Sequence, residues 1–188
     1  MFLPLQYIGR QALDFFQKVG ILSIFIAKTI SGLIRRPFYL SLILRQIISI
    51  GYFSLPVVAM TAVFSGAVLA LQSYTGFSRF SAESSIATVV VLSITRELGP
   101  VLAGLMVAGR VGASIAAEIG TMKVTEQIDA LFTLSTDPIK YLVVPRVIAA
   151  VLTMPCLVLI GDIIGVMGGY LVSVYKLGFN GITYIKNT

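Results

Sequence analysis

From Gln46 to Ser78 the chain carries no charged residue. Drawn out as a helix at ~1.5 Å per residue, such a run exceeds the ~30 Å hydrocarbon core of a bilayer. Ile47–Leu71 is the predicted first span. Its twelve Ile, Leu, Val and Phe residues favour insertion by about 5 kcal/mol. The chain as a whole is strongly apolar: 57% hydrophobic and only 12% charged, against about 25% charged in an ordinary soluble domain. The fold class is therefore all-α integral membrane.

Two further spans are predicted, at residues 84–109 and 146–175. Eleven Ile, Leu and Val residues favour insertion of the second by about 5 kcal/mol. Arg96 costs roughly 2.5 to 3.5 kcal/mol of that, and Glu97 adds to the cost. An ionisable pair at that depth should face protein or a polar cavity, not lipid. Gly99-Pro100 follows at once, and Pro100 removes the donor for the Arg96 carbonyl, which predicts a kink. Pro56, Pro145 and Pro155 predict others. An ionisable pair beside a helix break is a candidate functional site. Asp162, inside the third span, needs a partner or water.

Small residues recur at every fourth position in Gly104, Ala108, Gly112, Ala116 and Gly120, and again in Gly161, Gly165 and Gly169. Such ridges let helix backbones approach closely, so tight helix packing is predicted for both. Residues 1–36 differ. Ile8, Phe15, Val19, Leu22, Ile26 and Leu33 lie opposite Arg10, Asp14, Lys18, Lys28 and Arg35. The charge-free run Val19–Ala27 is too short to span, so an amphipathic helix lying in the interface is expected, broken at Arg35-Arg36-Pro37. QSYTGFSRFSAESS reads as a loop, with Gly76 at a turn and Ser81 or Ser84 as N-cap.

Between the second and third spans, Glu118–Pro138 is an island of polarity. Val124, Ile128, Leu131 and Phe132 recur at helical spacing, with Lys123, Glu126, Gln127 and Ala130 opposite. A short amphipathic helix between membrane helices is a handle for a soluble partner. Asp137-Pro138 then signals a helix start. Lys and Arg number six before Gln46, one between Gln72 and Glu83, and four from Arg110 to Arg146. The positive-inside rule puts the N-terminus and the island in the cytoplasm, and the chain's end outside.

The net charge of +6 is accounted for by this pattern, so no nucleic acid partner is expected. With no His and one Cys, imidazole catalysis, His metal sites and internal disulfides are excluded. Cys156 is expected to be a buried, inert thiol. No nucleophile–base set or metal-ligand cluster is present, so neither an enzyme nor a cofactor is predicted. No G-x-x-x-x-G-K-[ST] occurs, and any ATP that drives transport must bind another subunit.

The runs RELGPVLAGLMVAGRVGASIAAEIGTMKVTEQIDAL, then DP, then PRVIA, from Arg96 to Ala149, with LALQSY and FSAESS before them, resemble the MlaE permease family. The resemblance implies an inner-membrane, multi-pass ABC transporter permease that moves phospholipid between the inner and outer membranes of bacteria. It implies a second permease copy, cytoplasmic ATPase subunits, a periplasmic MCE-domain protein and a small STAS-domain protein as partners. Residues 121–133 correspond to the family's coupling helix. Met122, Ile128 and Leu131 are then the anchors in the ATPase groove, with Gln127 beside them and Glu126 and Asp129 setting register. The lipid pathway falls on Leu71, Gln72, Tyr74, Arg96 and Glu97. Family members carry five spans, so a chain with three reads as a C-terminally incomplete permease. The rival readings are an ion-gradient-driven transporter or channel using Arg96, Glu97 and Asp162, and a non-transporting assembly subunit.

Overall fold

The computed structural model describes residues 3–35, 39–78 and 85–186. Every element among them is helical. The helices are α1 (Leu3–Ile34), α2 (Leu40–Ile47), α3 (Phe53–Phe77), α4 (Ile86–Ser93), α5 (Gly99–Val124), α6 (Gln127–Thr133), α7 (Val144–Tyr175) and α8 (Gly181–Lys186). Three π turns join them: π1 (Ile48–Tyr52), π2 (Ile94–Leu98) and π3 (Ile139–Val143). The first and third predicted spans, and the second from residue 86 on, thus lie in continuous rods, Leu40–Phe77, Ile86–Val124 and Ile139–Tyr175, each longer than expected; residue 84 lies outside the described residues.

The π turns have a local cause. Each ends shortly before a proline: Pro56, Pro100 or Pro145. A proline inside a helix has no N–H and its ring presses on the carbonyl four residues back. Those carbonyls belong to Tyr52, Arg96 and Tyr141, and each lies inside a π turn. Widening the turn makes room for the ring and re-pairs the neighbouring groups. Three of the predicted kinks are therefore met by π turns. Pro155 has none and sits within α7.

The core lies where α3 and α7 cross, with α5 against both. Ile50, Val58, Ala103, Val107, Ala149 and Leu157 form one buried cluster. Ala70, Ile86, Val90 and Ile94 form a second, where α3 meets α4. The contact between α3 and α7 is as close as backbones allow. A methyl group added at Gly66 would overlap the carbonyl oxygen of Gly165 and stand 3.2 Å from the Gly169 nitrogen. One at Gly161 would meet Val58 at 3.3 Å. The Gly161, Gly165 and Gly169 ridge is the packing surface predicted. Around this core Leu44, Ile48, Phe53, Val57, Met60, Phe64 and Val68 stand exposed at helical spacing. In water each would cost roughly 1.5 to 3 kcal/mol relative to burial; lipid removes that cost.

Several expectations are corrected. Gln72–Phe77 continues α3, so Gly76 is not a turn residue. Ser85 occupies the N-cap of α4 without a side-chain hydrogen bond, while Ser81 and Ser84 lie outside the described residues. The breaker Arg36-Pro37 lies outside them too, although α1 does end at Ile34. Cys156 is exposed, because it shares the outer face of α7 with Leu152, Leu159 and Ile163. Residues 121–133 are not one helix. Thr121–Val124 finish α5, Glu126 turns left-handed at φ 59°, and α6 begins at Gln127.

By length and composition α1 is a fourth helix able to cross a membrane, through Gly9–Ile34, where three spans were predicted. It differs from the others in exposure: only 6% of its most apolar window is buried, against 22 to 28%. From Gly9 to Lys28 both its charged and its apolar faces are open. It touches the bundle near its end, where Thr29 is buried and a methyl at Gly32 would press on Val144 at 2.9 Å.

Candidate functional site

The hairpin from α5 through α6 to π3 is built from local signals. Thr125 closes α5, its hydroxyl donating to the Thr121 carbonyl at 2.8 Å and its N–H to the same carbonyl at 3.0 Å. Glu126 then reverses the chain in a conformation that non-glycine residues rarely adopt. The Ala130 N–H donates back to the Glu126 carbonyl at 3.0 Å, opening α6. Ser135, at φ 56°, makes the second reversal. The Asp137 carboxylate accepts from the Ile139 N–H at 3.0 Å, the predicted cap in the predicted place.

No residue of α6 is buried. Its faces differ all the same. Ile128 and Leu131, with Met122 at the end of α5, are half-buried. Val124, Phe132 and Leu134 are 84%, 64% and 74% exposed. Glu126, Gln127 and Asp129 are exposed beside them. The more exposed apolar patch is thus the one set by Phe132 and its neighbours, and the three predicted anchors are less open than it.

Arg96 and Glu97 occupy π2 and are both exposed. Among the described residues they make no ion pair with each other or with any other group. The protein or cavity predicted to face them is not supplied by the described residues. Leu71 is half-buried and Gln72 exposed. Tyr74 turns inward, its ring 5.8 Å from that of Phe179 and packed on the Ile86–Val90–Ile94 cluster. Ile86 and Arg96 are separated by roughly 15 Å of helix, so the five pathway residues do not meet in one cluster. Asp162 lies against Gly99, where a methyl would collide with its Oδ1. That oxygen is buried and has no hydrogen-bond partner among the described residues. Beside it opens an apolar groove of about 800 Å³ lined by Pro100, Met154, Pro155 and Val158.

The second-span ridge does not pack like the third. A methyl at Gly112 or Gly120 would meet nothing within 4 Å, and one at Gly104 only Met154 at 3.8 Å. Ala108 and Ala116 are exposed. This ridge faces outward along α5, continuing the surface that carries Arg96.

A polar cluster escaped the sequence reading. Arg146 is 5% exposed, and its Nη2 pairs with Glu118 Oε2 at 2.8 Å. Arg110 Nη1 donates to Ser54 Oγ at 2.8 Å. The signal was present as Arg110, Ser114 and Glu118, one turn apart on one face of α5. The partners on α3 and α7 are distant in sequence, so spacing alone does not reveal them.

Comparison with known proteins places these features. The family described as Permease MlaE matches residues 43–188. A probable ABC transporter permease protein of Rickettsia felis is 76% identical over 181 residues, which are 96% of this chain and 70% of the relative. The intermembrane phospholipid transport system permease protein MlaE of Haemophilus influenzae is 38% identical over 167 residues, 89% of this chain and 64% of the relative. Protein TRIGALACTOSYLDIACYLGLYCEROL 1, chloroplastic, of Arabidopsis thaliana is 42% identical over 139 residues, 73% of this chain and 40% of the relative.

Proposed function

The chain belongs to the MlaE family of ABC transporter permeases, and from that premise we propose that it carries phospholipid between the inner and outer membranes, driven by a separate ATPase. The observation that carries this reading is α6, a helix with no buried residue hung between two spans, with Phe132 and the flanking Val124 and Leu134 exposed and Glu126 and Asp129 exposed near them. Apolar anchors inside a charged rim are what a groove in a soluble partner recognises. ATP binding draws the ATPase subunits together, and α6 passes the motion to α5 and α7.

The permease sits in the bacterial inner membrane with its N-terminus and α6 in the cytoplasm, and α1 lies in the interface. A second copy covers the outward ridge of α5. Small residues there permit close helix approach, and the same approach takes Arg96 and Glu97 out of lipid. Between the copies Arg96 meets the phosphate of the lipid headgroup, while Leu71, Gln72 and Tyr74 lie further along its route. A periplasmic MCE-domain protein receives the lipid, and a STAS-domain protein attends the ATPase. The Haemophilus influenzae relative, named as an intermembrane phospholipid transport permease, supports this choice of cargo.

Labelling with a photoactivatable phospholipid in the assembled complex tests the cargo. Crosslinks on residues 92–101 that weaken in Arg96→Gln are expected. Labelling confined to the outer face of α3, and unchanged by Arg96→Gln, overturns it.

A further inference from the structure

Arg110, Ser114 and Glu118 lie along one face of α5, and each has a place in the base of the cytoplasmic hairpin. Arg110 is tied to Ser54 on α3. Arg110, Ser114 and Glu118, with Gln46 and Ser49, line a small polar cavity of about 30 Å³, room for a water with polar partners on several sides. Glu118 closes the row by pairing with Arg146 at 2.8 Å. Arg146 also donates from Nη1 to the Leu142 carbonyl in π3 at 3.0 Å. Residues 119–145, the whole hairpin, therefore run between the two members of one ion pair.

Stability does not explain this pair. Arg146 is almost fully buried, and its Nε has no hydrogen-bond partner among the described residues. A buried guanidinium left partly unsatisfied costs free energy, and an apolar residue of equal volume serves a static core as well or better. What an ion pair supplies that an apolar contact does not is register between two elements. Glu118 is 53% exposed, so the pair is open to water from one side only.

We propose that Glu118 and Arg146 form a clasp that makes the end of α5 and the start of α7 move as one body. With the clasp shut, a push on α6 reaches both spans. With it open, the loop bends at Glu126 and Ser135, its two left-handed joints, and the push is lost. Arg146 and Glu118 are thus positioning residues for coupling ATP hydrolysis to transport, a role that rests on the permease reading above. The clasp itself is a statement about two helices and stands apart from the cargo.

The test uses the purified transport complex in lipid nanodiscs, with Cys156→Ser and spin labels at Ala113 and Val151. Both positions are exposed, and each lies five residues further into the membrane than its clasp residue. The expected result is one narrow distance distribution, broadened in Glu118→Gln and in Arg146→Gln and narrowed again in the swap Glu118→Arg with Arg146→Glu. Unbroadened single variants, or a swap as broad as the single variants, overturn the clasp. Fluorescent phosphatidylglycerol moved per ATP in proteoliposomes should fall at least about five-fold in the single variants, the low end of a coupling free energy, and recover in the swap and in Arg146→Lys. Broadened distances with an unchanged ratio overturn the coupling role. An unmodified complex that hydrolyses ATP and moves no phospholipid refutes the cargo, while the distances still judge the clasp.

Discussion

Replacing Gly66 by alanine should be among the most damaging single-methyl changes in this chain. The new Cβ would overlap the Gly165 carbonyl oxygen and sit 2.8 Å from the carbonyl carbon. Carbon atoms rest at roughly 3.5 Å or more, so α3 and α7 must part by at least about 0.7 Å, and the overlapped oxygen asks for more. The obstacle is backbone on both sides and cannot rotate away. A gap of that size forfeits a quarter to a half of each nearby dispersion contact, and overpacking of this kind costs about 1 to 3 kcal/mol. Alanine's better helix propensity returns roughly 0.5 to 1 kcal/mol, so the net loss is about 1 kcal/mol within a range of roughly 0 to 2.5 kcal/mol. Gly112→Ala on the outward ridge is the control, because its methyl meets nothing within 4 Å. Circular dichroism during SDS titration in mixed micelles should show Gly66→Ala unfolding at lower SDS, with Gly112→Ala unchanged or slightly later. Equal midpoints for the two variants would refute the close contact of α3 with α7.

Three further outcomes follow from the hairpin and the last helix. Glu126→Gly should stabilise the hairpin by about 1 kcal/mol, since a left-handed non-glycine residue costs roughly 1 to 2 kcal/mol, and slower amide exchange in α6 is the readout. Asp137→Ala, which removes the acceptor for the Ile139 N–H, should cost about 1 kcal/mol and speed exchange at residues 139–141. Tyr184 has its phenol pKa raised above 10.0 by burial, more than the bond with Ser173 lowers it. A raised folded-state pKa means the neutral form is favoured by folding: the contribution is complete below pH 10.0 and is lost as pH rises through the folded value. Docking of α8 should therefore loosen only above pH ~10, seen as faster exchange at Gly181–Lys186, and Tyr184→Phe should flatten that dependence.

The spans were legible in the sequence because a bilayer imposes length and apolarity, and nothing else about Ile47–Leu71 had to be known. The Asp137 cap and the Gly161–Gly165–Gly169 face were legible for a similar reason: each is a local pattern with one cheap structural use. The break at Thr125–Glu126 was not, since Glu126 is no glycine and nothing in its spacing marks a left-handed turn. The partial cover of Met122, Ile128 and Leu131 was hidden because an amphipathic period tells which residues share a face but not how open that face is. Arg146 was hidden most deeply. Its partner lies across the hairpin, and only the fold brings α5 and α7 together at that level. The direction of Arg96, by contrast, was half legible: charge cost said it must leave lipid, and the fold turns it to the outer surface beside the small-residue ridge.

The central claim is that a separate ATPase grips this permease through α6. Co-purification of the ATPase with the chain carrying Phe132→Asp, with Glu126→Lys and Asp129→Lys together, and with Gly20→Ala as control, whose methyl meets nothing within 4 Å, tests it directly. The ATPase should be lost from the first two and retained by the control, with all chains equally folded by circular dichroism. Full retention of the ATPase by the Phe132→Asp and the double-lysine chains would contradict it.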